Sequence, residues 1–182
     1  MVLLNSSSCN FDWKPKDFRF KSLQDEQNSL YNLKGINGIL VMFICSHCPY
    51  VKNIENKISN ETKRIKELGV NSLAIMSNDQ SIYEEDSNEG LLEQIARAKF
   101  EFPYIVDISQ ELGKSFDAQC TPEFYYFNKS MKLKYRGRLD SNAKASSMGN
   151  PELYYAIEEI ISKGYCSSRQ YPSIGCSIKW KD

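Results

Sequence analysis

No stretch of this chain approaches the roughly 20 consecutive apolar residues that a membrane-crossing helix needs, so a bilayer-spanning role is not expected. An excess of either charge is lacking too: 23 lysines and arginines balance 23 aspartates and glutamates. Without a basic run, neither a nucleic-acid groove nor attraction to an anionic membrane is expected. No glycine-rich loop follows a strand-like segment, so no nucleotide is implied and no cofactor is expected. Histidine occurs once, as His47, and there is no second closely spaced cysteine or histidine pair, which leaves a four-ligand zinc site short of ligands. The opening MVLLNSSSCNFDWKPKDF has no basic n-region and turns polar by Asn5, so it does not read as a secretory signal; a cytoplasmic location is the expectation.

What is present fits one domain over residues 1–182, with a polar leader (1–15) and a tail (165–182) of no clear period. Six cysteines (Cys9, Cys45, Cys48, Cys120, Cys166, Cys176) stand out in a chain expected in a reducing compartment. There they argue for catalytic or metal-binding use over a static disulfide framework.

Along the chain, DFRFKS alternates like a half-buried strand and leads into hairpin material. GILVMFIC is continuously apolar, as a strand covered on both faces would be. Val51, Ile54, Ile58, Ile65 and Leu68 then recur at helical spacing until Gly69. VNSLAIM reads as a second core strand, followed by SNDQSIYEEDSNEG, an acidic connection expected to be exposed, as a substrate lid or as solvent decoration. A short helix around Leu91 to Ala96, a third strand at Tyr104 to Asp107 and a helical segment near Gln110 to Phe116 come next. CTPEFYYFN and KLKYRGRL read as antiparallel strands with a turn at Asn128 to Ser130, and Leu153 to Ile161 as a last helix stopped by Gly164. Alternating strands and helices followed by a hairpin and a helix describe an α/β fold with parallel central strands and an antiparallel edge.

The chemistry concentrates in ICSHCPYV, residues 44–51. It lies between a core strand and a helix, where α/β sheets place their ligands. Cys45 is expected at the helix start, where unpaired N–H groups and the helix dipole favour a thiolate. Cys48 lies about one turn on, within reach of a disulfide, and is the natural resolving thiol. A protonated His47 between them would further stabilise the thiolate, and Pro49 suits a first helical turn. Half of a zinc site and a pair of inert core cysteines are the alternatives; the strand before and the helix after favour a redox pair.

The order of strand, C-x-x-C helix and a later Thr121-Pro122 entering a strand resembles the thioredoxin superfamily. The closer resemblance is to peroxiredoxin-like thioredoxin proteins, the redoxin or alkyl-hydroperoxide-reductase/thiol-specific-antioxidant domain proteins. It rests on VMFICSHCPYV, SND, FPYIVD, CTPEFYYF, YRGRLD and PSIGCSIKWK, in this order from about Asp17 to Lys181. The resemblance implies a thioredoxin fold with a peroxiredoxin-like N-terminal hairpin and insertion, a mixed central sheet flanked by helices. It implies Cys45 as nucleophile, Cys48 as its partner, and a cis Thr121-Pro122 loop, next to Cys120, that faces the substrate and offers backbone groups for strand-like pairing. The function so implied is thiol-disulfide oxidoreductase, with a disulfide-containing protein or small thiol as substrate and a thiol electron donor. A thiol peroxidase and a protein- or metal-binding module are the alternatives.

Peroxiredoxins carry P-x-x-x-T-x-x-C. With Cys48 set on that cysteine, the threonine position holds Cys45 and the proline position Val41, which demotes peroxidase activity; Arg136 and Arg138 are not assigned the missing arginine's role. Cys120 is expected near the motif, as a third redox thiol or a small buried hydrophobe. Cys176 reads as a structural tail residue or a distal exchanging thiol. Cys166 and Cys176 close a loop of convenient size for a disulfide, which a reducing cytoplasm disfavours. Cys9 reads as incidental, Phe124 to Phe127 as core strand, and Trp180 as a buried anchor for the tail.

Overall fold

The computed structural model describes residues 3–6, 10–142, 146–147 and 149–181. Cys9 lies outside them. The leader contributes a short strand, β1 (Leu3–Asn5), and the expected hairpin forms from β2 (Arg19–Lys21) and β3 (Gln27–Ser29), followed by the single turn α1 (Leu30–Leu33). The apolar run becomes β4 (Gly38–Phe43), every residue of which is buried.

The helix after the motif is split. The turn α2 (Pro49–Lys52) ends where the Ile54 N–H bonds back to Val51 O at 2.9 Å, and α3 (Glu55–Glu67) then runs on. Both Val51 and Ile54 turn inward. Gly69, at φ 75°, supplies the left-handed turn that ends α3. β5 (Val70–Met76) follows, then the 3-10 turn Glu84–Asp86, α4 (Asn88–Ala98), β6 (Tyr104–Val106) and α5 (Glu111–Ser115). The chain continues through β7 (Cys120–Thr121), β8 (Glu123–Asn128), β9 (Leu133–Gly137), α6 (Glu152–Lys163) and β10 (Ile174–Ser177).

β4 pairs antiparallel with β8, and β8 with β9; β5 and β6 pair in parallel. Main-chain bonds from Asn37 N–H to Gly69 O (2.9 Å) and from Ile44 N–H to Ile75 O (3.2 Å) set β4 and β5 side by side in the same direction. The result is a mixed sheet with the motif at the carboxyl end of its central strand. Because side chains alternate across a strand, Leu40, Met42, Phe124 and Tyr126 face one core with α3, α4 and α6. Ile39, Val41, Phe43, Tyr125 and Phe127 face the other, closed by Leu30, Phe116 and the N-terminal Trp13. A continuous apolar run is what a strand covered on both faces requires.

The tail has the order its sequence conceals. β10 lies between β1 and β7, antiparallel to both, with Cys176 opposite Leu3 on one side and Thr121 on the other. Trp180 is not the expected anchor: it is 39 % exposed, near Lys114. Buried Ile178 and polar clamps hold the tail instead, among them Lys179 N–H to Asn78 Oδ1 (2.9 Å) and Lys181 N–H to Gln110 Oε1 (2.8 Å).

Candidate active site

Cys45 does not stand at the helix start, where its spacing placed it. Helix α2 begins at Pro49, and its cap is Cys48, whose carbonyl accepts from Val51 N–H (3.0 Å) and Lys52 N–H (2.9 Å). Proline fits this first turn because its missing N–H has no intrahelical acceptor there. Cys45 sits three residues earlier, in the loop leaving β4, so the helix-end amides serve Cys48.

Both sulfurs meet Thr121. The Thr121-Pro122 peptide is cis, and Cys45 Sγ lies 3.2 Å from Thr121 Oγ1. Cys48 Sγ lies 3.3 Å from Thr121 O, to which it donates when protonated, and 2.8 Å from Cys176 Sγ. Cys45 and Cys48 are each 0 % exposed. The Cys45 thiol hydrogen bond, outweighing burial, together with the Cys176 thiol and nearby N–H groups, draws the Cys48 thiol down to about 5. Burial pushes Cys45 up, and the Cys48 and Asp86 charges add to the shift. The two shifts run in opposite directions and favour the thiolate on Cys48 over Cys45. Cys120 is buried next to the pair, with its thiol pushed up by burial and by Glu123, which suits a small core residue.

His47 is held from the side by Asp86 and Tyr83. Its Nδ1 pairs with Asp86 Oδ2 at 2.7 Å, and its ring stacks on Tyr83 with centroids 3.8 Å apart. Asp86 also accepts from Ser46 N–H (2.8 Å), His47 N–H (2.9 Å) and Asn78 Nδ2 (2.8 Å). Burial raises the Asp86 carboxyl, but these bonds outweigh it and leave the group below its usual range. Sequence reasoning missed Asp86. The acidic connection was expected to be exposed, yet its Asn78 and Asp86 are buried and Tyr83 covers the histidine. The only signal was SND, which carries Asn78. Gln94, also missed, donates from Nε2 to Cys45 O (3.1 Å) and to Glu55 Oε1 (2.9 Å).

Ligand-type atoms of Cys45, His47 and Asp86 lie within 4.8 Å of one another, so these residues are the ones that would hold a metal. Two of them already bond each other. Arg136 is engaged by Glu123 (Nε to Oε1, 2.8 Å) and Arg138 by Glu152 (Nε to Oε2, 2.7 Å). Cys166 bonds to Ser168 O at 3.5 Å, while Cys176 lies against Cys48, so the two are not brought together.

A family model, AhpC/TSA, matches residues 13–136, more than half of the chain. The chain belongs to the AhpC/TSA family. Among solved structures, an uncharacterised conserved protein from Geobacillus kaustophilus is 33 % identical, with a TM-score of 0.88 over 100 % of this chain and 97 % of that one. A hypothetical protein from Sinorhizobium meliloti 1021 is 28 % identical, with a TM-score of 0.88 over 97 % and 98 %. The thioredoxin domain of a Bacteroides vulgatus thiol-disulfide oxidoreductase shares the fold, with 16 % identity and a TM-score of 0.63 over 85 % of this chain and 99 % of that one. No curated protein matches the chain. This AhpC/TSA protein thus has the thioredoxin fold and belongs among thiol-based redox enzymes. No helix among its described residues is long and apolar enough to cross a membrane.

Proposed function

We propose that this AhpC/TSA protein is a thiol-disulfide oxidoreductase in which Cys45 and Cys48 exchange with a substrate disulfide. The observation that carries the reading is the convergence of both C-x-x-C sulfurs on Thr121 of the cis Thr-Pro loop, at 3.2 and 3.3 Å. In the reduced site Cys48 holds the thiolate and Cys45 keeps its proton. As Cys45 Sγ attacks a substrate disulfide, its proton passes to Cys48, a mixed disulfide forms, and the first substrate sulfur leaves as thiolate. That thiolate takes the proton back from Cys48. Cys48 Sγ then attacks Cys45 Sγ, releasing the second substrate sulfur and closing the Cys45–Cys48 disulfide. A thiol donor such as thioredoxin or a glutathione-type thiol restores the dithiol. The substrate is a disulfide-containing protein or a small disulfide, with no nucleic acid or membrane involved, and a reducing cytoplasm suits the cycle.

The buried sulfurs require the covering segments to move before a substrate reaches them. Peroxidase chemistry ranks second: Thr121 Oγ1 beside Cys45 Sγ favours it, but Arg136 and Arg138 are bound to Glu123 and Glu152. The test is trapping. Cys48→Ser should accumulate mixed disulfides through Cys45 in a lysate; fast peroxide consumption with nothing trapped overturns the oxidoreductase reading in favour of the peroxidase. Stoichiometric metal in reduced protein, lost in Cys45→Ser, would instead favour a binding module.

A further inference from the structure

The strand edge next to the cis-proline is already taken. β10 pairs antiparallel with β7, placing Cys176 opposite Thr121 and Ser177 opposite Cys120. The same register brings Cys176 Sγ to 2.8 Å from Cys48 Sγ, and Cys48 in turn hydrogen-bonds with the Cys45 thiol. Three thiols thus adjoin in the order Cys45, Cys48, Cys176, with Cys48 common to both contacts. The chain's own tail lies where an extended substrate would pair, with a sulfur in position to exchange.

We propose that Cys176 is a third redox thiol, which takes Cys48 out of the Cys45–Cys48 disulfide and forms a Cys48–Cys176 disulfide in its place. The proposal rests on the oxidoreductase reading only for the source of the first disulfide. Cys176 Sγ attacks Cys48 Sγ; the Cys45–Cys48 bond breaks, the Cys48–Cys176 bond forms, and the electron pair leaves on Cys45 Sγ. Cys45 takes up the proton that Cys176 loses. No net oxidation occurs, so the exchange needs no further oxidant. One disulfide equivalent moves to the tail, and Cys45 is again a thiol.

The charge balance favours the step at the moment it is needed. In the reduced site Cys176 is pushed up to about 12, first by burial and then by its hydrogen bond to Cys48 and the charge there. Once Cys48 is in a disulfide it carries no charge and accepts no such bond, so both of those contributions vanish. Lys179, which favours the Cys176 thiolate, remains. Oxidation of the first pair therefore makes Cys176 easier to ionise, while burial, the largest cause, stays. Cys120 on the neighbouring strand also loses the Cys48 charge, but burial and the Glu123 charge, the two larger causes, keep its thiol raised.

The experiment is disulfide mapping of the full chain. Wild type and Cys45→Ser are equilibrated in a glutathione redox buffer, acid-quenched and digested at low pH, and linked peptides are identified by mass spectrometry. A Cys48–Cys176 peptide is expected in wild type, and as the sole internal linkage in Cys45→Ser. Wild type showing only Cys45–Cys48, with Cys48 and Cys176 of folded Cys45→Ser remaining thiols or glutathione adducts, overturns the proposal. Should Cys45→Ser fail to fold, the wild-type map decides alone. The outcome separates from that of the trapping experiment: trapping without the Cys48–Cys176 peptide removes only this proposal, and the peptide without trapping removes only the oxidoreductase reading.

Discussion

At Asp86, four hydrogen bonds from Ser46, His47 and Asn78 converge on one buried carboxylate. Asp86→Ala removes the acceptor of the Ser46 and His47 main-chain N–H groups, at about 1–3 kcal/mol for each buried donor left without a partner. It also removes a negative charge that holds Cys45 up, so Cys45 becomes more acidic. Urea unfolding and the pH dependence of Cys45 alkylation check the two effects separately. Cys48 gives a second prediction. Its folded-state value, about 5, lies below the unfolded thiol's value of about 8.5. The unfolded chain therefore binds more protons in that interval, and Cys48's stabilisation of the reduced protein grows from about pH 5 to about pH 8.5 and is lost as pH falls through 5. Cys45 is shifted the other way and erodes stability above the unfolded value. Denaturation of the reduced protein against pH should show this maximum, with the acid limb weakened in Cys48→Ser.

Elements carry their own tests. Helix α3 is tied to the segment after β9 by a buried pair, Lys57 Nζ to Asp140 Oδ2 at 2.7 Å. Lys57→Met leaves the buried Asp140 carboxylate without its counter-charge and should cost about 3–5 kcal/mol, whereas adding Asp140→Leu should recover only part of the loss, because the Asn142 and Gly149 N–H groups then lose their acceptor. Denaturant midpoints of the single and double variants measure this. Strand β10 lies so close to β7 that a side chain at Gly175 would collide with the Thr121 carbonyl. Gly175→Ala should push the tail away from the motif while the sheet of β4, β5, β6, β8 and β9 persists. Faster amide exchange confined to β1, β7 and β10 is the expected result.

For the molecule as a whole, access governs reactivity. Cys45 and Cys48 are 0 % exposed, so an alkylating reagent reaches them only through an opening of the cover. Alkylation of the reduced native protein should be slow against an unfolded control despite the low Cys48 value, and Gly175→Ala should speed it. Equal rates in native and unfolded protein would show that the cover is not a barrier.

The runs of apolar residues and their spacing determined most of the framework. GILVMFIC reads as a strand buried on both faces, and the stops at Gly69 and Gly164 follow from the left-handed turns that end their helices. ICSHCPYV likewise announced a cysteine pair ahead of a helix, because spacing along one segment is a local property. What the sequence left open was set by pairs distant along the chain. Asp86 is 39 residues from His47, hidden in a loop that looked solvated, and Cys176 is 128 residues from Cys48 in a tail with no period. Their approach depends on how the loop folds over the motif and how β10 inserts between β1 and β7, and no local pattern encodes either. Thiol acidity followed the same division. Sequence named the two cysteines; the Cys45 hydrogen bond and the Cys176 contact that lower Cys48, and the burial and Asp86 charge that raise Cys45, depend on how the chain folds around them.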